Sequence, residues 1–359
     1  MPSTIPPKAL KPGASIAFVS PSARLNDRLP AVMARATSVL KGRGYQVREL
    51  YTPDTGIQSS IDHRLSELRT AFTDPTIDAV ICTIGGTAFT ELLPAMIADT
   101  ELHAAIRANP KIVVGYSDIT GLHWFLHALT GLRTFYGPGA IAELGEANSV
   151  DDDTSPLAFC AKHLFRAITD SQPIGDVARS PTYAPDVDPC WHDAASTQGP
   201  KLAPTAGWIW IRPGKAQGRL FGGCITVMAR LGGVRAISPD WKGRIVFMET
   251  QMGDDMVSGL ALDRFRAGVA DLIAQGVFDD AAGLVIGRPF GYDTDKLRAD
   301  YIGVIKGLLC EGRFADKSFP ILFNVDFGHT VPMVTLPFDG LAELDSDNDR
   351  FAILEPVVL

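Results

Sequence analysis

Short apolar runs separated by helical periodicity organise the first half of the chain. Residues 15–20 form an apolar run that ends in Ser20-Pro21-Ser22, a strand followed by a turn. Residues 30–41 repeat apolar positions at helical spacing (Val32, Met33, Ala36, Val39, Leu40) and stop at Gly42 and Gly44. A second strand is predicted over 45–50 and an amphipathic helix over 62–72. A third strand over 79–84 runs into Gly85-Gly86-Thr87. After another helix, residues 111–114 read as a buried strand, Gly115-Tyr116-Ser117 as a tight turn, and Asp118 onward as a helix reaching about Leu129. Strands alternating with helices in this way predict a parallel α/β sheet.

The texture changes near residue 150. Asp151-Asp152-Asp153 and a Pro-, Ser- and Thr-rich stretch to Pro204 predict a linker and a long loop, which contains Cys190-Trp191-His192-Asp193. Beyond Gly207 the pattern becomes rich in strands, at 208–211, 218–224, 244–249, 283–287 and 321–325, with helices over 260–275 and 299–309. The expected organisation is an N-terminal α/β domain over 1–165, a linker and active-site loop over 166–206, and a C-terminal domain over 207–359.

The 359 residues suffice for two domains with a sizeable core. The formal net charge of −8 argues against a broad nucleic-acid or anionic-membrane surface, because both require a basic field. No apolar run approaches the length of a membrane span or a signal-peptide core. The five cysteines are widely spaced and form no C-x-x-C pair, which favours reduced buried thiols over disulfides or zinc. The expected compartment is the cytoplasm, with neither nucleic acid nor membrane as partner.

Ligands of parallel α/β sheets bind beyond the C-terminal strand ends, and two such ends stand out here: Gly85-Gly86-Thr87 and Gly115-Tyr116-Ser117. Ser117 sits at a strand-to-helix corner, where a side chain projects over the sheet edge beside free backbone N–H groups. It reads either as a nucleophile or as a helix cap, since the G-x-S-x-G elbow is incomplete: Ile119 stands where its second glycine belongs. A nucleophilic serine needs a base and a group to orient that base. His123 and His127 lie too far along the helix and read as partly buried helix residues. His63, His103 and His163 fall in surface helical patterns. His329 follows a strand end through Gly328, so it reads either as a cleft residue or as a surface turn. Glu249 ends an apolar strand, where a carboxylate is either partnered or exposed. The glycine loop suits an oxyanion or a phosphate, although it carries neither a dinucleotide fingerprint nor a P-loop.

Taken together, these stretches resemble the serine LD-carboxypeptidase family, and within it the microcin-C immunity peptidase-like branch. The resemblance rests on Lys11-Pro12-Gly13, Ser20-Pro21-Ser22, Thr83-Ile84-Gly85-Gly86, Gly115-Tyr116-Ser117-Asp118, Gly218-Arg219-Leu220, Gly287-Arg288-Pro289 and Asp326-Phe327-Gly328-His329. It implies a flavodoxin-like N-terminal domain, a swivelling-type β-rich α/β C-terminal domain, and an active site in the cleft between them. It further implies a Ser117–Glu249–His329 triad and an oxyanion hole from the backbone N–H groups of Gly86 and Asp118. Gly85, Thr87 and Trp191 become candidate substrate contacts. Hydrolysis of an amide-type bond is expected without metal or cofactor, in a homodimer acting on a small peptide or an aminoacyl-nucleotide. One branch removes a terminal D-amino acid from murein peptides; the other cleaves aminoacyl-nucleotide conjugates. Cys224 departs from the pattern, because many relatives carry Asn there. A non-catalytic ligand-binding protein and a phosphate-binding transferase are the competing readings from other classes.

Overall fold

The computed structural model describes residues 4–359; residues 1–3, the start of the expected N-terminal domain, lie outside it. Five strands, Ser15–Val19, Gln46–Leu50, Ala79–Cys82, Ile112–Gly115 and Phe135–Tyr136, pair in parallel with the flavodoxin-like order 2-1-3-4-5. The three central strands are buried on both faces, which accounts for their continuous apolar runs. A sixth strand, Leu336–Pro337, arrives from the far end of the chain and pairs antiparallel with Phe135–Tyr136.

The second sheet has eight strands. Its centre is parallel, made of Lys215–Cys224, Arg244–Glu249, Gly283–Gly287 and Ile321–Val325 in that order. Antiparallel strands flank it on either side: Leu341–Asp345 pairs with the first of the four and Ile209–Arg212 with the last. The helices Ile225–Leu231, Leu262–Ala274 and Asp295–Leu309 make the crossovers between the parallel strands. This mixed sheet is the strand-rich C-terminal architecture expected from the sequence.

One stretch differs from expectation. Residues 150–204 read as linker and loop, yet they contain the helix Pro156–Thr169, capped by Ser155, whose Oγ accepts from Ala158 N at 3.0 Å. Ser before Pro resembles loop punctuation, but it is also the N-cap and N1 pair of a helix. Gly175–Asp176 then joins the edge of the second sheet, and Thr182–Tyr183 pairs with Ala203–Pro204. Among the described residues, no helix is long and apolar enough to cross a membrane.

Side-chain hydrogen bonds and ion pairs tie the two sheets together. Near the C-terminal strand ends, Trp124 Nε1 donates to Gly222 O at 2.9 Å and Cys224 N donates to Thr120 Oγ1 at 3.1 Å. On the other side, Asp339 is buried and receives the Arg244 guanidinium and Thr4 Oγ1, the latter at 2.8 Å. Arg133 reaches Asp339 O at 3.2 Å and Glu355 at 2.7 Å. Burial opposes the Asp339 charge, but His127 and Arg244 outweigh it and hold the carboxyl well below the usual carboxylate range. A depressed pKa contributes stability above the unfolded-state value of about 4, and that contribution is lost as pH falls. Asp339→Asn keeps the shape and removes the charge. Urea unfolding at pH 7 should show a loss of about 3 kcal/mol, as for a broken buried pair. A loss below about 1 kcal/mol would mean the network contributes little.

Candidate active site

The Ile112–Gly115 strand ends at a corner made by Tyr116 and Ser117, and a single tight turn, Ser117–Ile119, leads into the helix Thr120–Thr130. Ser117 has φ of 63°, the left-handed region that a non-glycine residue occupies only under constraint. Its side chain caps neither helical segment, so the helix-cap reading fails. Among the described residues, Ser117 Oγ makes no hydrogen bond, and none joins it to His329.

The glycine loop meets this corner directly. A Cβ on Gly85 would lie 2.6 Å from Ser117 Cβ and 2.9 Å from its Oγ, so only glycine permits the approach. Gly86 and Thr87 are exposed beside it. Asp118 is fully buried, and its carboxylate ties three segments together. Oδ2 accepts from Ser22 Oγ at 2.6 Å and from Phe89 N at 2.9 Å, and Oδ1 pairs with Arg230. The Ser20-Pro21-Ser22 turn thus holds the Ser117 corner from the side.

Glu249 ends the Arg244–Glu249 strand and is fully buried, so the exposed-acid reading fails. Its Oε2 lies 2.7 Å from His329 Nδ1 and accepts from His329 N at 3.2 Å. A Cβ on Gly328 (φ 87°) would lie 2.4 Å from Glu249 Cγ, so glycine is needed for the loop to pass over the acid. The His329 side chain is 14% exposed, and its ring packs edge-on against Tyr116, the residue before Ser117, with centroids 5.2 Å apart. Burial works against a charged His329, but the charge and hydrogen bond of Glu249, with a further contribution from Glu143, outweigh it and raise the pKa. Burial likewise works against the Glu249 charge, while His329 and Tyr136 hold its pKa below the ordinary value.

Two residues here have no counterpart among the sequence candidates. Tyr136 Oη donates to Glu249 Oε1 at 2.6 Å and accepts from Ser117 N at 3.0 Å. Glu143 accepts from Tyr116 Oη at 2.7 Å and from Gly139 N at 2.9 Å, and burial pushes its pKa up to about 7. The only local signal for Tyr136 is an aromatic pair before Gly137-Pro138-Gly139.

Of the other candidates, His123 packs its ring against Tyr136 and Cys224 pairs in register with Glu249. Trp191 is half-buried in the turn Pro189–Trp191, and no ring contact or hydrogen bond links it to Ser117, Glu249 or His329 among the described residues. His123 is fully buried rather than partly, with Nδ1 2.8 Å from Thr134 Oγ1 and Nε2 2.9 Å from Gly115 O. His103 is buried too, not on the surface, with Nε2 2.8 Å from Met96 O. Cys224 is buried, its Sγ 3.5 Å from Gln251 Oε1. No group of three or more metal-ligating side chains occurs among the described residues.

The strained corner has a measurable cost. Ser117→Gly should melt higher than Ser117→Ala, by about 1 kcal/mol of stability, because glycine adopts φ of 63° freely. Equal stability of the two variants would show that the corner carries no strain.

Comparison with known proteins agrees with this architecture. The signature of the LD-carboxypeptidase N-terminal domain matches residues 16–137, and that of the C-terminal domain matches residues 217–344. A Vibrio cholerae protein named as a carboxypeptidase is 31% identical over 349 residues, covering 96% of each chain. The microcin C7 self-immunity protein MccF of Escherichia coli is 29% identical, covering 96% of this chain and 94% of its own. A solved structure of MccF in complex with aspartyl sulfamoyl adenosine superposes with a TM-score of 0.83 at 25% identity, over 99% of this chain and 100% of that one. Both halves of the chain match in order, and the chain belongs to the LD-carboxypeptidase family.

Proposed function

We propose that this chain is a serine hydrolase that cleaves the amide-type bond of aminoacyl-nucleotide conjugates through an acyl-enzyme. The observation that carries the reading is the buried Glu249 carboxylate 2.7 Å from His329 Nδ1, with the His329 ring against the residue that precedes Ser117. Glu249 fixes the ring so that Nε2 is the basic nitrogen, and it stabilises the imidazolium formed when His329 takes the Ser117 proton. Ser117 Oγ, free of other hydrogen bonds, attacks the carbonyl. The N–H groups of Gly86 and Asp118 receive the negative charge that develops on the carbonyl oxygen. His329 then protonates the leaving nitrogen, and water releases the acyl group by the same route in reverse.

The nucleotide side of the substrate is supported by the likeness to MccF, whose solved complex holds aspartyl sulfamoyl adenosine. The family's name, with a Bacillus subtilis relative named for murein peptides, supports a second reading, removal of a terminal D-amino acid from a murein peptide. Cys224 bears on the choice because it pairs in register with Glu249 at the same strand end.

A side-by-side assay separates the two. Wild-type protein should hydrolyse an aminoacyl-sulfamoyl adenosine faster than an L,D-murein tetrapeptide. Ser117→Ala should lower kcat by about 10³-fold or more while still binding the conjugate. Preference for the tetrapeptide would favour the murein reading, and undiminished turnover by Ser117→Ala would remove the serine mechanism.

A further inference from the structure

Tyr136 hydrogen-bonds to both halves of the proposed machinery. It comes from the last parallel strand of the first sheet, is fully buried, and places its hydroxyl between two groups from different sheets. The hydroxyl has one hydrogen to donate and lone pairs to accept with. It donates to Glu249 Oε1 at 2.6 Å and accepts from the backbone N–H of Ser117 at 3.0 Å. The oxygen of Glu249 that His329 does not use is therefore the one Tyr136 occupies. The N–H that Tyr136 accepts belongs to the residue held at φ of 63°.

We propose that Tyr136 is a positioning residue that sets the strained Ser117 corner and the Glu249–His329 pair in register across the two sheets. This inference rests on the serine-hydrolase reading and adds a residue to it. Removing the hydroxyl leaves a partly buried N–H at Ser117 and one fully buried carboxylate oxygen at Glu249 without their partner, and the loss at the buried carboxylate is the costlier. Surrounding rings keep the phenol in place: Phe247 and Phe338 pack against it with centroids 5.3 and 6.1 Å away. A phenylalanine can therefore fill the same space.

The effect on pH follows from the direction of the hydroxyl. Its hydrogen points at Glu249, so its positive end opposes a proton on His329. Losing it strengthens the pull of Glu249 on the imidazolium and moves the His329 titration to higher pH. The titratable groups facing the Glu249–His329 pair, besides Tyr136, are Glu143, Tyr116, Cys224, Tyr301 and, behind Tyr136, His123, whose pKa burial lowers to about 4. Below His329's own pKa the base is protonated and the reaction stops, so the acid limb of kcat/KM should shift upward with it.

The experiment compares wild type with Tyr136→Phe and with trifluorotyrosine placed at position 136. The readouts are kcat, KM, the acid limb of kcat/KM, and an NMR titration of His329. Tyr136→Phe should lower kcat about tenfold, one charge-assisted hydrogen bond's worth, with KM nearly unchanged. It should also raise the His329 midpoint by about half a pH unit. Trifluorotyrosine, a stronger donor in the same shape, should move that midpoint downward and keeps the test open if the phenylalanine variant does not fold. Midpoints that stay within about 0.1 unit of wild type in the folded variants would overturn the proposal. The NMR titration needs no substrate, so its outcome is separate from whether Ser117 turns over the proposed conjugate.

Discussion

A carboxylate with no solvent exposure is the constraint around which this molecule closes. Glu249 ends a strand of the second sheet at 0% exposure, and an ionised group there must be fully hydrogen-bonded or give up its charge. Its partners come from three places: the His329 ring, the His329 backbone N–H, and the Tyr136 hydroxyl of the other sheet. Satisfying one acid therefore aligns two sheets. The glycine at 328 follows from the same demand, since any side chain there would strike Glu249.

A second buried carboxylate does the matching work on the serine side. Asp118 gathers Ser22, the Phe89 backbone and Arg230, and so fixes the turn after the first strand, the end of the glycine loop and a helix of the second sheet around one corner. Ser117 is then held in a conformation that its own side chain does not favour, with Oγ free and Gly85 in close contact. Rigid anchoring of this kind is what a preorganised nucleophile requires. The Leu336–Pro337 strand adds to it from the far end of the chain, because its pairing brings the segment after His329 back beside Tyr136.

Local pattern made much of this legible. Apolar runs placed the strand ends, and Ser117, Glu249 and His329 stood out because each stands at or just beyond the end of such a run. Interactions between distant segments were not legible in the same way. Tyr136 sits on a two-residue strand, too short to carry a period, and its role exists only through contacts 19 and 113 residues away in the chain. The start of the Pro156–Thr169 helix was hidden because Ser-Pro reads equally as a turn, although His163 already fell in a helical pattern. His103 and His123 looked ordinary because a buried histidine satisfied by backbone oxygen leaves no mark on sequence spacing.

Activation of Ser117 by His329, across the junction of the two sheets, is the proposal on which the rest depends. Fluorophosphonate labelling, followed by peptide mapping in a mass spectrometer, tests it most directly. The expected result is one adduct, on Ser117, formed about 100-fold more slowly in His329→Ala, the scale of general-base assistance. An adduct on a different residue, or an unchanged labelling rate in His329→Ala, would contradict it.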